Sequence, residues 1–196
     1  YEQGKRKTGW AQIDGSWYYL GTDGAMQSDK WVSSGGQWFH LSADGTMSTG
    51  WTEVGNAWYF LNADGVMQSN TWIDSGGRWF YLDASGAMLT SAWLPQGGSW
   101  YYLGADGSMA TGWAQVEGAW YYLGGDGAMT TGWTRVGGSW YYFGANGVMQ
   151  SDKWISSGGQ WFRLGDSGAM VTSTWLSQGG SWYYLYADGS MATGWA

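Results

Sequence analysis

The chain has 196 residues with a net charge of −7, only 12% charged residues, 36 Gly and 19% Phe, Trp or Tyr. It contains no Cys, which excludes disulfides and thiolate metal sites, and its eight cations are scattered apart from Lys5-Arg6-Lys7, which argues against nucleic acid. No apolar run approaches the roughly 18 residues of a membrane helix, so membrane insertion is not expected. Gly-rich disorder would lack aromatics, so this composition reads as a packed, turn-rich chain.

The opening YEQGKRKTGW shows no signal peptide and reads as a trimmed end or a cut from a longer chain, with residues 1–8 a tail. From residue 9 onward one pattern repeats. A first Trp recurs at Trp10, Trp31, Trp51, Trp72, Trp93, Trp113, Trp133, Trp154, Trp175 and Trp195, a period of 20 or 21. A second Trp follows each of the first nine seven residues later: Trp17, Trp38, Trp58, Trp79, Trp100, Trp120, Trp140, Trp161 and Trp182. Two residues come next, usually both aromatic, then Leu or Phe, a turn ending in Gly, and a Met. A fixed period of this size signals a repeat array whose units bury their apolar faces on one another.

Each unit reads as a β-hairpin. The residues before the second Trp, such as Asp14-Gly15 or Gly35-Gly36, suit a tight hairpin turn. The Asp, Asn or Ser before Gly in the second turn, as in Asp23-Gly24, Asn146-Gly147 or Ser85-Gly86, is a turn former first. Period-2 alternation then gives two faces. Face one holds Val, Ile or Leu of the first strand, the first residue after the second Trp, and the following Leu or Phe; it is expected to be the interior. Face two holds both Trp residues and the second residue after the second Trp. That third position runs Tyr19, His40, Phe60, Tyr81, Tyr102, Tyr122, Tyr142, Arg163 and Tyr184, and its tolerance of His and Arg implies contact with water.

Units differ in their linkers: some begin Gly-Trp, others Lys-, Thr- or Ala-Trp with one extra residue. MQSDKWVSSGGQWFHL at 26–41 returns as MQSDKWISSGGQWFRL at 149–164, so the chain grew by duplicating blocks of repeats. Paired indoles at a wet surface suit a ligand that wants aromatic faces and few hydrogen bonds. A quaternary ammonium held by cation–π attraction of ~0.5–2 kcal/mol per ring fits, and so does a sugar ring stacked on Trp. Many weak pockets facing a polymer compound into firm attachment. Catalysis is not expected: one His and carboxylates sitting mostly at turns leave no nucleophile–base pair, Glu2, Glu53 and Glu117 converge on nothing, and no metal site is indicated. Calcium-binding repeats recur every nine residues with several Asp per turn, which does not match.

The pattern GW-x5-6-WYYL-x3-DG-x-M over residues 9–196 closely resembles the choline-binding repeats of streptococcal surface proteins and autolysins. That resemblance implies an all-β fold, a left-handed, elongated β-solenoid of about nine stacked β-hairpins. It implies a non-catalytic module with choline as ligand and no cofactor, attached to phosphocholine-decorated teichoic or lipoteichoic acid at the bacterial cell surface. A wider hydrolase or adhesin, a host protein partner and an end-to-end homodimer are further features it allows. The rival carbohydrate (glucan)-binding repeats share the WYYF-x3-G core but typically lack the leading Trp.

In that family choline is boxed by both Trp residues of one hairpin and the second Tyr of the next. Carried onto this chain, the pockets would be Trp31 and Trp38 with Phe60; Trp51 and Trp58 with Tyr81; and Trp72 and Trp79 with Tyr102. The series continues as Trp93 and Trp100 with Tyr122; Trp113 and Trp120 with Tyr142; and Trp154 and Trp161 with Tyr184. Met47, Met67, Met88, Met109, Met129 and Met170 of each first hairpin would line them in the same order. Two junctions would be degenerate: Trp133 and Trp140 against Arg163, expected empty, and Trp10 and Trp17 against His40. Trp175 and Trp182 lack a following hairpin and would form an incomplete site.

Overall fold

The computed structural model describes residues 6–193, so Glu2, Lys5, Trp195 and the first part of the 1–8 tail lie outside it. It is all-β, and no helix occurs among the described residues. Eighteen five-residue strands pair as nine antiparallel two-stranded sheets. In order the hairpins are Gly9–Ile13 with Ser16–Leu20, Lys30–Ser34 with Gln37–Leu41, Gly50–Val54 with Ala57–Leu61, and Thr71–Ser75 with Arg78–Leu82. Then come Ala92–Gln96 with Ser99–Leu103, Gly112–Val116 with Ala119–Leu123, and Gly132–Val136 with Ser139–Phe143. Lys153–Ser157 with Gln160–Leu164 and Thr174–Gln178 with Ser181–Leu185 complete the set.

Local chemistry explains why each segment folds back on itself. A two-residue hairpin turn wants positive φ at both positions, and Asp14 (φ 50°) with Gly15 (φ 85°) supplies it. The register then sets Trp10 opposite Tyr19 and Ala11 opposite Tyr18, which confirms the two faces read from alternation. The two linker types also have a physical basis. In the shorter linker a Gly directly before the Trp takes positive φ, as at Gly50 (73°). In the longer one the left-handed residue stands two before the Trp and is Asp29, Asn70, Ser91, Asp152 or Ser173, with φ of 47° to 52°. Its N–H donates to the carbonyl just past the hairpin that follows, Asp29 to the Ser42 carbonyl at 3.0 Å, closing that hairpin at its base.

The hairpins fall into two compact units. One comprises the described residues up to Ala92 together with Leu103–Met109; the other comprises Trp93–Tyr102 and the described residues from Ala110 on. Inside each unit, successive hairpins are clamped by the same backbone bond. The Met N–H of one linker donates to the carbonyl of the second Trp of the preceding hairpin. In the first unit Met67 bonds Trp38 at 2.8 Å; in the second Met129 bonds Trp100 and Met149 bonds Trp120, both at 2.8 Å.

Eight of the nine hairpins each contribute one fully buried residue to the core, while Leu20 of the first is only half-buried. Leu41, Leu61, Leu82, Leu103, Leu123, Phe143, Leu164 and Leu185 are fully buried. These are the face-one Leu and Phe positions, and that part of the interior matches expectation. The apolar residue of the first strand does not always join them: Val32 is buried, whereas Ile13 is exposed. Each buried Leu stabilises by roughly 1.5–3 kcal/mol relative to exposure.

Candidate functional site

The second Trp of every described hairpin is exposed, at 48% for Trp38, 46% for Trp100 and 41% for Trp140. The first Trp is gripped from two sides. One neighbour is its cross-strand partner on face two; Trp51 stands 5.3 Å from Phe60, and Trp133 stands 5.2 Å from Tyr142. For Trp10, Trp31, Trp51, Trp93, Trp113, Trp133 and Trp154 the other neighbour comes from the next hairpin, and it is the first aromatic after the second Trp, not the second.

That placement corrects the expected register. Trp31 meets Tyr59 at 4.9 Å rather than Phe60, and Trp51 meets Phe80 at 5.2 Å rather than Tyr81. Trp93 meets Tyr121 at 4.8 Å rather than Tyr122, and Trp113 meets Tyr141 at 4.9 Å rather than Tyr142. Trp154 meets Tyr183 at 5.3 Å rather than Tyr184. Tyr81, Tyr102, Tyr122 and Tyr184 instead face the first Trp of their own hairpins, Trp72, Trp93, Trp113 and Trp175, at 5.1 to 5.3 Å. The reason is stacking: face two of one hairpin lies against face one of the next, so the closing ring comes from the opposite face.

Among the described residues this arrangement forms concave pockets, three of them of about 290, 270 and 280 Å³. They are bounded by Trp93, Trp100, Tyr121 and Met129; by Trp31, Trp38, Tyr59 and Met67; and by Trp133, Trp140, Phe162 and Met170. Volumes below the usual ~300–1,000 Å³ of drug-sized sites suit a small head group. The Met assignments shift with the register. The linker bond carries each Met back one hairpin, so Met67 serves Trp38 and not Trp58, and Met129 serves Trp100 and not Trp120. By the same bond Met47 belongs to Trp17, Met88 to Trp58, Met109 to Trp79 and Met170 to Trp140, while Met149 and Met191, absent from the expected set, dock on Trp120 and Trp161.

The two supposedly degenerate junctions also change. Arg163 does not reach Trp133 or Trp140; it stands opposite Trp154 in its own hairpin, 8% exposed and paired with Asp152. Phe162 closes the Trp133 pocket at 5.2 Å. His40 likewise faces its own Trp31 at 5.1 Å, and Phe39 meets Trp10 at 4.8 Å. Both polar residues are buried, so their presence at face two is no sign of water. Each has local compensation instead. The His40 ring nitrogen Nδ1 lies 3.0 Å from the Ser48 hydroxyl. Burial lowers the His40 pKa from 6.5, with the Asp29 charge opposing the shift. Asp29 and Asp152 occupy the same place in the duplicated stretch, one beside His40 and one beside Arg163. Trp175 and Trp182 are 60% and 67% exposed, and no hairpin follows them among the described residues.

Two indoles and a third ring around an exposed mouth describe a trap for a cation without N–H groups. A choline-binding repeat family matches residues 48–93, 93–131 and 130–175, and a related cell wall binding repeat matches 8–26, 29–47 and 173–191. The chain belongs to the choline-binding repeat family. Among solved structures it is similar to CbpJ from Streptococcus pneumoniae at 30% identity and a TM-score of 0.83, covering 96% of this chain and 72% of that one. The choline-binding domain of CbpL from Streptococcus pneumoniae matches at 32% identity and TM-score 0.76, over 97% of this chain and 100% of the other. The modular autolysin LytC from Streptococcus pneumoniae, solved with a synthetic peptidoglycan ligand, matches at 33% identity and TM-score 0.74. The match covers 92% of this chain but 41% of LytC. No curated protein sequence matches. The repeats are thus of a non-catalytic, wall-binding kind, and no helix among the described residues is long and apolar enough to cross a membrane.

Proposed function

We propose that this chain attaches to phosphocholine groups of bacterial wall teichoic or lipoteichoic acid, one trimethylammonium per inter-hairpin pocket. It would thereby anchor a cell-surface protein, a hydrolase or an adhesin. The observation that carries this reading is the open second indole of every described hairpin, beside a first indole that in hairpins such as that of Trp93 is held between two rings. Packing alone would have sealed those rings. Two indoles and a phenol or phenyl ring, each worth ~0.5–2 kcal/mol toward a cation, leave only a few kcal/mol after association costs, roughly millimolar per site. Several such sites on one polymer give firm attachment.

The expected result is retention on a trimethylammonium resin, elution by free choline, and a Trp fluorescence response to choline but not to dextran. A response to dextran alone would support glucan binding and end the choline reading. The register adds a sharper test. Tyr121→Leu should weaken choline binding at Trp93 and Trp100, because Tyr121 closes that pocket; equal weakening there by Tyr122→Leu and none by Tyr121→Leu would contradict the assignment.

A further inference from the structure

Each of the three pockets pairs two indoles with a Met and a closing ring, Tyr59, Tyr121 or Phe162, and Ser157 also lines the Trp133 pocket. They differ further in the turn residue at the rim, which is Ser85 beside Trp31 and Trp38, Asn146 beside Trp93 and Trp100, and Asp188 beside Trp133 and Trp140. In every case that residue precedes the Gly of the turn closing the second hairpin further along. Each pocket therefore draws on three consecutive units, and only one of these three has a carboxylate at its mouth.

The local role of the rim residue is the same whether or not it is charged. Asp188 Oδ1 accepts the Ser190 N–H at 3.0 Å and its hydroxyl at 2.7 Å, while Asn146 Oδ1 accepts the Val148 N–H at 3.2 Å. Capping the turn thus needs an oxygen but no charge. The two Ser190 bonds hold the Asp188 carboxyl below its usual range, so it is ionised at neutral pH. A methylated ammonium offers no N–H to hydrogen-bond, and what a carboxylate adds to the indole box is Coulomb attraction.

We propose that this rim position sets the affinity of each pocket for a cation, with Asp188 making the Trp133, Trp140 and Phe162 pocket the tightest of the three for a quaternary ammonium. The inference rests on the choline reading above and adds which pocket fills first. Asp106 occupies the same turn position two hairpins beyond Trp51 and Trp58, but Arg78 Nη1 donates to its Oδ2 at 2.8 Å, which offsets its charge.

The test is a titration of the full chain, followed at the assigned indole Nε1–H signals of Trp133 and Trp140 and of Trp93 and Trp100. Choline and its neutral isostere 3,3-dimethylbutan-1-ol are the two probes. Choline should bind at Trp133 and Trp140 about threefold more tightly than at Trp93 and Trp100, the size expected of an exposed ion pair. Asp188→Asn, which keeps the capping oxygen that Asn146 uses, should abolish that advantage. Asn146→Asp should create one at Trp93 and Trp100, and binding of the isostere should change with neither. An unchanged choline affinity in Asp188→Asn, or an equal change for choline and the isostere, would overturn the proposal while leaving choline binding intact. If choline moved none of the four indole signals, the choline reading would fail and this proposal with it.

Discussion

His40 and Arg163 show how a single residue can mislead. Each occupies a position that is Tyr or Phe in the other seven hairpins, and a polar residue there reads naturally as wet. Both are buried, and each is answered by the acidic residue at the same linker position, Asp29 or Asp152. The other longer linkers carry Asn70, Ser91 and Ser173, and their hairpins carry Tyr. The signal that could have revealed this was the pairing of Asp with His or Arg inside the duplicated stretch. Two outcomes follow. Because the folded pKa of His40 lies below 6.5, the unfolded chain takes up the proton first as pH falls. Stability linked to His40 should be full above pH 6.5 and decline as pH drops through the interval down to the folded value, and His40→Tyr should flatten that decline in urea unfolding at pH 7.5 and 5.5. Arg163→Tyr should leave choline binding at Trp133 and Trp140 unchanged, because Arg163 lies in the neighbouring hairpin under Trp154.

At the scale of the hairpin, alternation made the two faces legible, and the register bears this out residue by residue, with Trp113 opposite Tyr122 and Ala114 opposite Tyr121. It could not show which face of the next hairpin comes against Trp113. Parity is a property of one strand pair, whereas stacking is set by the linker bond from Met149 to Trp120, whose partners are 29 residues apart in the sequence. The Met register failed for the same reason. The core ladder was legible because one apolar position recurs without exception. Leu123→Ala should cost about 2–5 kcal/mol in chemical denaturation, the usual range for emptying a buried site. The linker turn is as demanding. Gly147 has φ of 76°, and a Cβ there would collide with the Met129 side chain that lines the Trp93 pocket. Gly147→Ala should therefore cost about 1–3 kcal/mol and weaken choline binding at Trp93 and Trp100, measured by unfolding and by titration.

For the molecule as a whole, the repeat makes one weak pocket into many, and its function depends on their number facing a polymer. Membership of the choline-binding repeat family and the likeness to CbpJ and CbpL place the array among wall-binding modules. The structure adds a register in which the Trp31, Trp93 and Trp133 pockets are each closed by the first aromatic and the Met of the following hairpin. The most direct measurement is a crystal structure of the full chain in saturating choline. The account predicts a trimethylammonium between Trp133, Trp140 and Phe162 with Met170 alongside, and equivalent density at Trp31, Trp38 and Tyr59 and at Trp93, Trp100 and Tyr121. An empty Trp133 pocket, or choline seated against Tyr122 and Tyr142 in place of Tyr121 and Tyr141, would contradict it.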